Sequence, residues 1–436
     1  MQQTLEALIS KCEHLAFDLQ FTHAKNWKRD GSMDDRSPAA HRFLVGYLPI
    51  YIPREIIHAM GGLPVGIMGS GDRMQIIKGD AYYQSYICHL PRGVVELALS
   101  GALSEFDAFI FPSICDVVRN LSGMFQIFKA DAFIKYLDLP QNFLSEVGGA
   151  YYRREMETVI EGIQAHLSLA PIPEDLWRER LNHSIRLYNE NRALIERIVT
   201  LRQEFPWRLS AVDWYCILRS GITMPVEEHN NILYEVEGML QEERGRPLDN
   251  IRVVISGAFC EQPPLGLIKT IELAGCYIVD DDFMLGSRWI EGNIEENTAD
   301  PMAAIVEAYL QHSTFSASLY EAAPASGTKV ERLAELVRRR KADGVVFAAA
   351  SFCDPALLDR PELQNGLERA GLRTIGFQYS ENTGQFKVIK EEVGAFSDSI
   401  KLWDAVPEAG GIGDAASSQL VQVWLPTVLD EIDIVA

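Results

Sequence analysis

The sequence predicts an α/β protein of two similar doubly wound parallel-sheet domains, with an N-terminal helical segment and a helical middle region. Three observations carry that prediction. First, helix–glycine–strand punctuation recurs: PREIIHAM stops at Gly61 before LPVGIMG, PLGLIKTIELA at Gly275 before CYIVDDD, and PELQNGLERA at Gly371 before LRTIGFQY. Glycine suits the left-handed position that closes a helix, which other residues enter at a cost. Second, apolar strand-like runs alternate with helical stretches, as βαβ units of a parallel sheet require. Third, an apolar run ends twice in Cys-Asp, at Cys115-Asp116 and at Cys353-Asp354.

Taken in order, residues 1–40 read as a helical segment that turns polar and irregular at KRDGSMDDRSP. Within it Leu5, Leu8, Ile9, Cys12 and Leu15 fall on one helical face. Residues 41–150 form the first α/β domain: a strand at 43–50, a helix with Pro53 in its first turn, Gly61, a strand, the helix VVELALSGAL, and a strand at 107–112 leading to Cys115-Asp116. Residues 151–248 lose strand signals and show helical periodicity with charged faces, a helical bridge. Residues 249–436 repeat the first order: the strand IRVVISGAF, a helix, Gly275, a strand, the helix VERLAELVRRRK, a strand at 344–350, Cys353-Asp354, a helix, Gly371 and a strand. The glycine-rich stretch 408–418 reads as a loop.

The 436 residues suffice for two or three domains, and 47% hydrophobic with 23% charged residues is ordinary globular composition. A net charge of −21 repels a phosphate backbone and anionic lipid, so neither nucleic acid nor membrane is an expected partner. No apolar run reaches the roughly 18 residues that span a bilayer. The start MQQTLEALISKCEHLAF lacks the basic n-region and clean apolar centre of a secretion signal, so a cytoplasmic location is expected. Seven cysteines, an odd number with no CxxC, argue against a disulfide framework, a zinc knuckle and a thioredoxin-type dithiol.

Ligands of open α/β sheets bind beyond the carboxyl ends of strands. Cys115, Cys260 and Cys353 lie there, and Cys88 lies in the connection after the second strand. Thiolates from two facing domains suit an iron–sulfur cluster or zinc, with either Cys88 or Cys260 as the third ligand; the alternative is a set of small buried hydrophobes. His89 is a weak candidate for donating a proton or hydrogen bond. Asp280, Asp281 and Asp282 read as a solvated strand end or helix cap, rather than a cation site. GGLPVGIMGSGD lacks the Gly-Lys-Ser/Thr ending of a phosphate loop, and GIGDAA at 411–416 follows no clear strand, so no nucleotide site of the chain's own is expected. HExxH and GxSxG arrangements are absent.

These residues resemble the benzoyl-CoA reductase / 2-hydroxyacyl-CoA dehydratase family. The resemblance rests on PREIIHAMGGLPVGI, on Cys88 with FPSICD, on SGAFCEQPPLGLIKTIELAGCYIVDDDF and on DGVVFAAASFCDP. The ending ENTGQFKVIKEEVGAFSDSIKLW resembles the larger catalytic polypeptide, the B subunit, of the ATP-dependent benzoyl-CoA reductases. The resemblance implies one [4Fe–4S] cluster held by Cys88, Cys115 and Cys353, with one iron lacking a protein ligand. It implies reduction of the ring of benzoyl-CoA to a cyclic dienoyl-CoA. It further implies a second cluster-bearing subunit, partner subunits that bind ATP and Mg and drive electrons uphill, and ferredoxin as donor. A 2-hydroxyacyl-CoA dehydratase subunit and a cluster-free α/β binding or scaffold subunit are the competing readings.

Overall fold

The computed structural model describes residues 4–31, 42–48, 50–69, 73–242, 245–258, 263–313, 328–380 and 386–404. Cys260, the stretch 408–418 and the GIGDAA segment lie outside the described residues, as do residues 70–72.

The chain opens with helices α1 (Leu5–Ala16) and α2 (Thr22–Gly31). Thr4 caps α1 through its side chain, and Leu8, Cys12 and Ala16 are its buried stripe. The first sheet follows: β1 (Phe43–Tyr47), α3 (Arg54–Ala59), β2 (Gly62–Gly66), α4 (His89–Leu99), β3 (Ala108–Pro112), α5 (Asp116–Phe128) and β4 (Phe133–Leu137). Pro53 is the N-cap of α3, one position earlier than a first-turn residue. The middle is helical: α6 (Ala150–Leu167), α7 (Glu174–Glu204), α8 (Ala211–Ser220) and α9 (Val226–Glu242). The second sheet comprises β5 (Ile251–Ser256), α10 (Leu265–Leu273), β6 (Cys276–Asp280), α11 (Leu285–Arg288), α12 (Pro301–His312), α13 (Lys329–Arg339), β7 (Gly344–Ala350), α14 (Asp354–Arg369), β8 (Arg373–Tyr379) and α15 (Phe386–Asp404).

Both sheets are four-stranded and wholly parallel, in the orders β2-β1-β3-β4 and β6-β5-β7-β8. The fold is therefore α/β, with two equivalent parallel sheets, a helical N-terminus and a helical middle. Strands β1, β2, β3, β6 and β7 are buried at every residue, because helices cover both faces of a parallel sheet. Gly61, Gly275 and Gly371 have φ of +90°, +89° and +76°, the left-handed turns that their place after a helix predicts.

The long helix α7 ties the halves together. On one side its Ser184 Oγ donates to the Glu55 carbonyl at 2.8 Å, and Arg192 pairs with Glu55 at 2.7 Å, both side chains buried. On the other, Arg202 Nη2 donates to the Ile278 carbonyl of β6 at 2.8 Å. Helix α12 packs its Ile305 and Tyr309 into the core beneath the first sheet, alongside Tyr152 of α6. Among the described residues no helix is long and apolar enough to cross a membrane.

Candidate active site

The described cysteines divide into two groups by their place in the fold. Cys12, Cys216 and Cys276 lie in α1, α8 and β6 and are buried, Cys12 and Cys276 within one apolar core. Burial pushes the Cys216 and Cys276 thiols up to about 12, out of reach of ordinary thiolate chemistry. Cys88, Cys115 and Cys353 are instead the N-cap residues of α4, α5 and α14. Each has non-helical backbone angles and precedes a first turn whose N–H groups lack intrahelical partners. The positive end of a helix dipole favours a thiolate there. Asp116 and Asp354 are the first residues of their helices, where a carboxylate is favoured for the same reason. Cys-Asp thus recurs because each sheet sends its third strand into a helix through the same two-residue start.

Cys115 is within electrostatic reach of Cys353, and Tyr83 of both Cys88 and Cys115. Burial raises the Cys115 thiol, the N–H groups of Val118 and Val117 oppose that rise, and the Cys353 thiol adds to it. Tyr83 is raised by its own burial first and then by the Cys88 and Cys115 thiols. Cys353 is buried, while Cys88 and Cys115 are half-buried. Among the described residues no group of three or more His, Cys, Asp or Glu side chains is gathered into a metal site. By chemistry the donors are those a thiolate-ligated group uses: thiols at three helix N-termini, with the buried Tyr83 hydroxyl lacking a hydrogen-bond partner among the described residues. His89 opens α4 beside Cys88 and is half-buried.

The turn into Cys353 is strained. Phe352 has φ +66°, an outlier for a bulky residue, and its side chain is 50% exposed. Ser351 N donates to the Tyr379 carbonyl at 2.8 Å and Cys353 N to that of Ala350 at 3.1 Å, so hydrogen bonds hold both flanks while the chain reverses. The reversal leaves Phe352 half outside and Cys353 inside.

The triple aspartate is not the solvated strand end its sequence suggested. Asp280 is 2% exposed and accepts from Arg340 Nε at 2.6 Å, with Arg288 Nη1 also at 2.6 Å. Burial alone would raise its pKa, but Arg288 and then Arg340 hold it well below the usual carboxylate range. Arg340 also reaches Glu196 of α7 at 2.8 Å. Asp282 accepts from the N–H groups of Gly257 and Ala258 at 2.6 and 2.9 Å. Burial nevertheless pushes it up to about 7, with Asp281 adding to the rise.

Asp280, Asp281 and Asp282 border a cavity of about 810 Å³ at the carboxyl ends of β5 and β6. This is where the strand order reverses between β6-β5 and β7-β8, the usual ligand position of such sheets. Lys329, Arg332 and Arg339 of α13 line one side, and Leu333, Leu336 and Phe347 supply apolar wall. Pro355 and Ala356, in the first turn of the helix that Cys353 caps, reach the same space.

Two parallel α/β sheets with cysteines capping three helices define a class, and sequence comparison names it: the chain belongs to the family described as 2-hydroxyglutaryl-CoA dehydratase, D-component, whose model matches residues 49–400. Among particular relatives, the C subunit of benzoyl-CoA reductase from Thauera aromatica is 46% identical over 91% of this chain and 98% of its own length. The lactoyl-CoA dehydratase subunit beta of Anaerotignum propionicum is 27% identical, over 85% of this chain and 95% of that relative. The (R)-phenyllactyl-CoA dehydratase beta subunit of Clostridium sporogenes is 24% identical, over 82% and 91%.

The expected likeness to the B subunit of the reductases is therefore corrected to the C subunit. The segment that suggested the B subunit is largely α15, which buries Ile389, Val393 and Ile400 in the core against the second sheet. Packing governs those positions, so they are poor witnesses to which polypeptide of the complex this is.

Proposed function

We propose that the chain is a cluster-bearing catalytic subunit of an ATP-dependent benzoyl-CoA reductase, acting in the anaerobic dearomatisation of benzoyl-CoA to cyclohexa-1,5-diene-1-carbonyl-CoA. One observation carries the reading: 46% identity to a benzoyl-CoA reductase subunit along 98% of that relative. The three capping cysteines support it independently. Cys88, Cys115 and Cys353 would hold the [4Fe–4S] cluster, which when bound supplies single low-potential electrons. Two ligands come from the first half and one from the second. The helix N-termini behind them offset the negative charge of a thiolate-ligated group.

The cavity suits the acyl-CoA. Arg339 offers a cationic partner for phosphates, joined by Lys329 and Arg332 on exchange of their carboxylates Asp359 and Glu291; the leucines and Phe347 line the way for the pantetheine arm, and the first turn after Cys353 borders the same space. Asp282 is a carboxyl of this cavity able to hold or release a proton near neutral pH. ATP and Mg bind partner subunits in this reading, and a second cluster-bearing subunit and ferredoxin complete the electron path. A cytoplasmic location follows from the same reading.

The test is iron and acid-labile sulfide content with EPR of the dithionite-reduced protein, co-expressed with its partners without oxygen, beside Cys353→Ser. A [4Fe–4S] signal assigned to this chain and lost in the variant is the expected result. No iron in an intact, folded sample would sink the reading in favour of a cluster-free binding subunit. The family description and the dehydratase beta subunits favour a second reading, a 2-hydroxyacyl-CoA dehydratase subunit. Dienoyl-CoA formed with stoichiometric electron use supports the reductase; turnover after one catalytic electron supports the dehydratase.

A further inference from the structure

Tyr83 lies five residues before Cys88, between the short 3-10 turn Gly79–Ala81 and α4. Its ring packs against the first-half core that Cys115 also packs against. Its hydroxyl is buried, with no hydrogen-bond partner among the described residues. A buried hydroxyl left unsatisfied is costly, and folded proteins leave few of them. Neighbouring polar groups have found partners close by: Tyr86 Oη donates to Gln84 Oε1 at 2.7 Å, and Arg92 Nη2 donates to the carbonyls of Gln84, Ser85 and Ile87. The loop carbonyls and the nearby Tyr86 phenol are thus satisfied. The Tyr83 phenol is left over, as is Nε of Arg92, and the Cys88 and Cys115 thiols act on the phenol.

We propose that Tyr83 Oη donates a hydrogen bond to a sulfur of the group held by Cys88 and Cys115, and so tunes its reduction potential. This rests on the cluster reading above. A phenol, with an ordinary pKa near 10, remains a donor at working pH. Hydrogen bonds to cluster sulfurs favour the more negative, reduced state and raise the potential. Tyr83 is a positioning residue in this role: it acts on the electron carrier, not on the substrate.

The test uses the anaerobic complex and a redox titration followed by EPR. Tyr83→Phe keeps the ring and removes the donor. The expected result is unchanged iron content, a several-fold fall in the reduced-to-oxidised ratio at fixed potential, and altered g-values. Replacing Tyr83 with a ring-fluorinated tyrosine, a stronger donor, shifts the ratio the opposite way. Tyr86→Phe, at an exposed hydroxyl, moves neither. If Tyr83→Phe loses the cluster, the fluorinated protein decides, since a merely structural ring would leave its potential unmoved. Full iron with an unmoved potential overturns this inference alone. Absence of iron from the unaltered protein overturns it together with the cluster reading.

Discussion

After β2 the chain leaves the first sheet through Ile67 and Met68, both buried and apolar; after β6, the strand in the matching position, it leaves through Asp280, Asp281 and Asp282. The third strands match more closely, since β3 and β7 both feed a cysteine that caps a helix. The same topology has thus kept one edge feature in duplicate and let the neighbouring one diverge. Duplicated caps suit a shared group between the halves. The diverged exit gives the second sheet a charged cavity wall where the first sheet has Ile67 and Met68.

The largest test of this contrast is to remove the charge at the second exit. Asp280→Asn leaves Arg288 and Arg340 buried without their shared carboxylate, and is expected to destabilise by about 3–5 kcal/mol. Met68→Leu at the first exit is close to volume-conserving and should cost no more than about 1.5 kcal/mol. Urea denaturation of both variants at pH 7 measures the difference, and equal losses would refute the contrast.

A smaller effect concerns pH. The folded pKa of Asp282, about 7, lies above the unfolded value of about 3.9. The folded state therefore binds more protons between those values, and stability falls as pH rises through that window. The N–H groups of Gly257 and Ala258 oppose the effect of burial, and the carboxyl of Asp281 adds to it. Asp282→Asn should flatten the fall between about pH 4 and 7, as read from denaturation midpoints across that range. An unchanged slope would show that Asp282 titrates normally.

The smallest effect separates the two approaches to the caps. Phe352 has positive φ, whereas Ile114, before Cys115, does not. Phe352→Gly is expected to be more stable than Phe352→Ala by about 1 kcal/mol, because only glycine enters that region freely. The same pair at Ile114 should reverse in sign. Thermal unfolding of the four variants checks it.

Much of the fold was legible because glycine and apolar runs announce helix ends and buried strands. Strand β4 was not, and its sequence explains why. FIKYL is half-buried along most of its length at a sheet edge and carries Lys135, so its apolar signal is weak. Helix α8 escaped for the opposite reason: Trp214 to Ser220 are all buried, and a helix covered on every side shows no periodicity. Cys115 and Cys353 were legible from Cys-Asp after an apolar run, whereas Cys88, followed by His89, was set apart from Cys260 only by the family resemblance. The state of Asp280 was not, because its partner Arg340 is 60 residues away and only the fold brings them together. Tyr83 gave no sequence signal, since an orphan hydroxyl is defined by what surrounds it.

Helix α7 has a mechanical consequence. Its 31 residues amount to a rod about 46 Å long at the α-helical rise. It is pinned to the first half at Ser184 and Arg192 and to the second at Glu196 and Arg202. Those anchors act as the jaws of a caliper whose opening is fixed by counting residues. Inserting a single residue between Arg192 and Glu196 would turn one jaw by about 100° relative to the other. The spacing of the two cysteine-bearing halves is thus gauged by a stiff rod, and the register of that rod sets how their capping helices face each other.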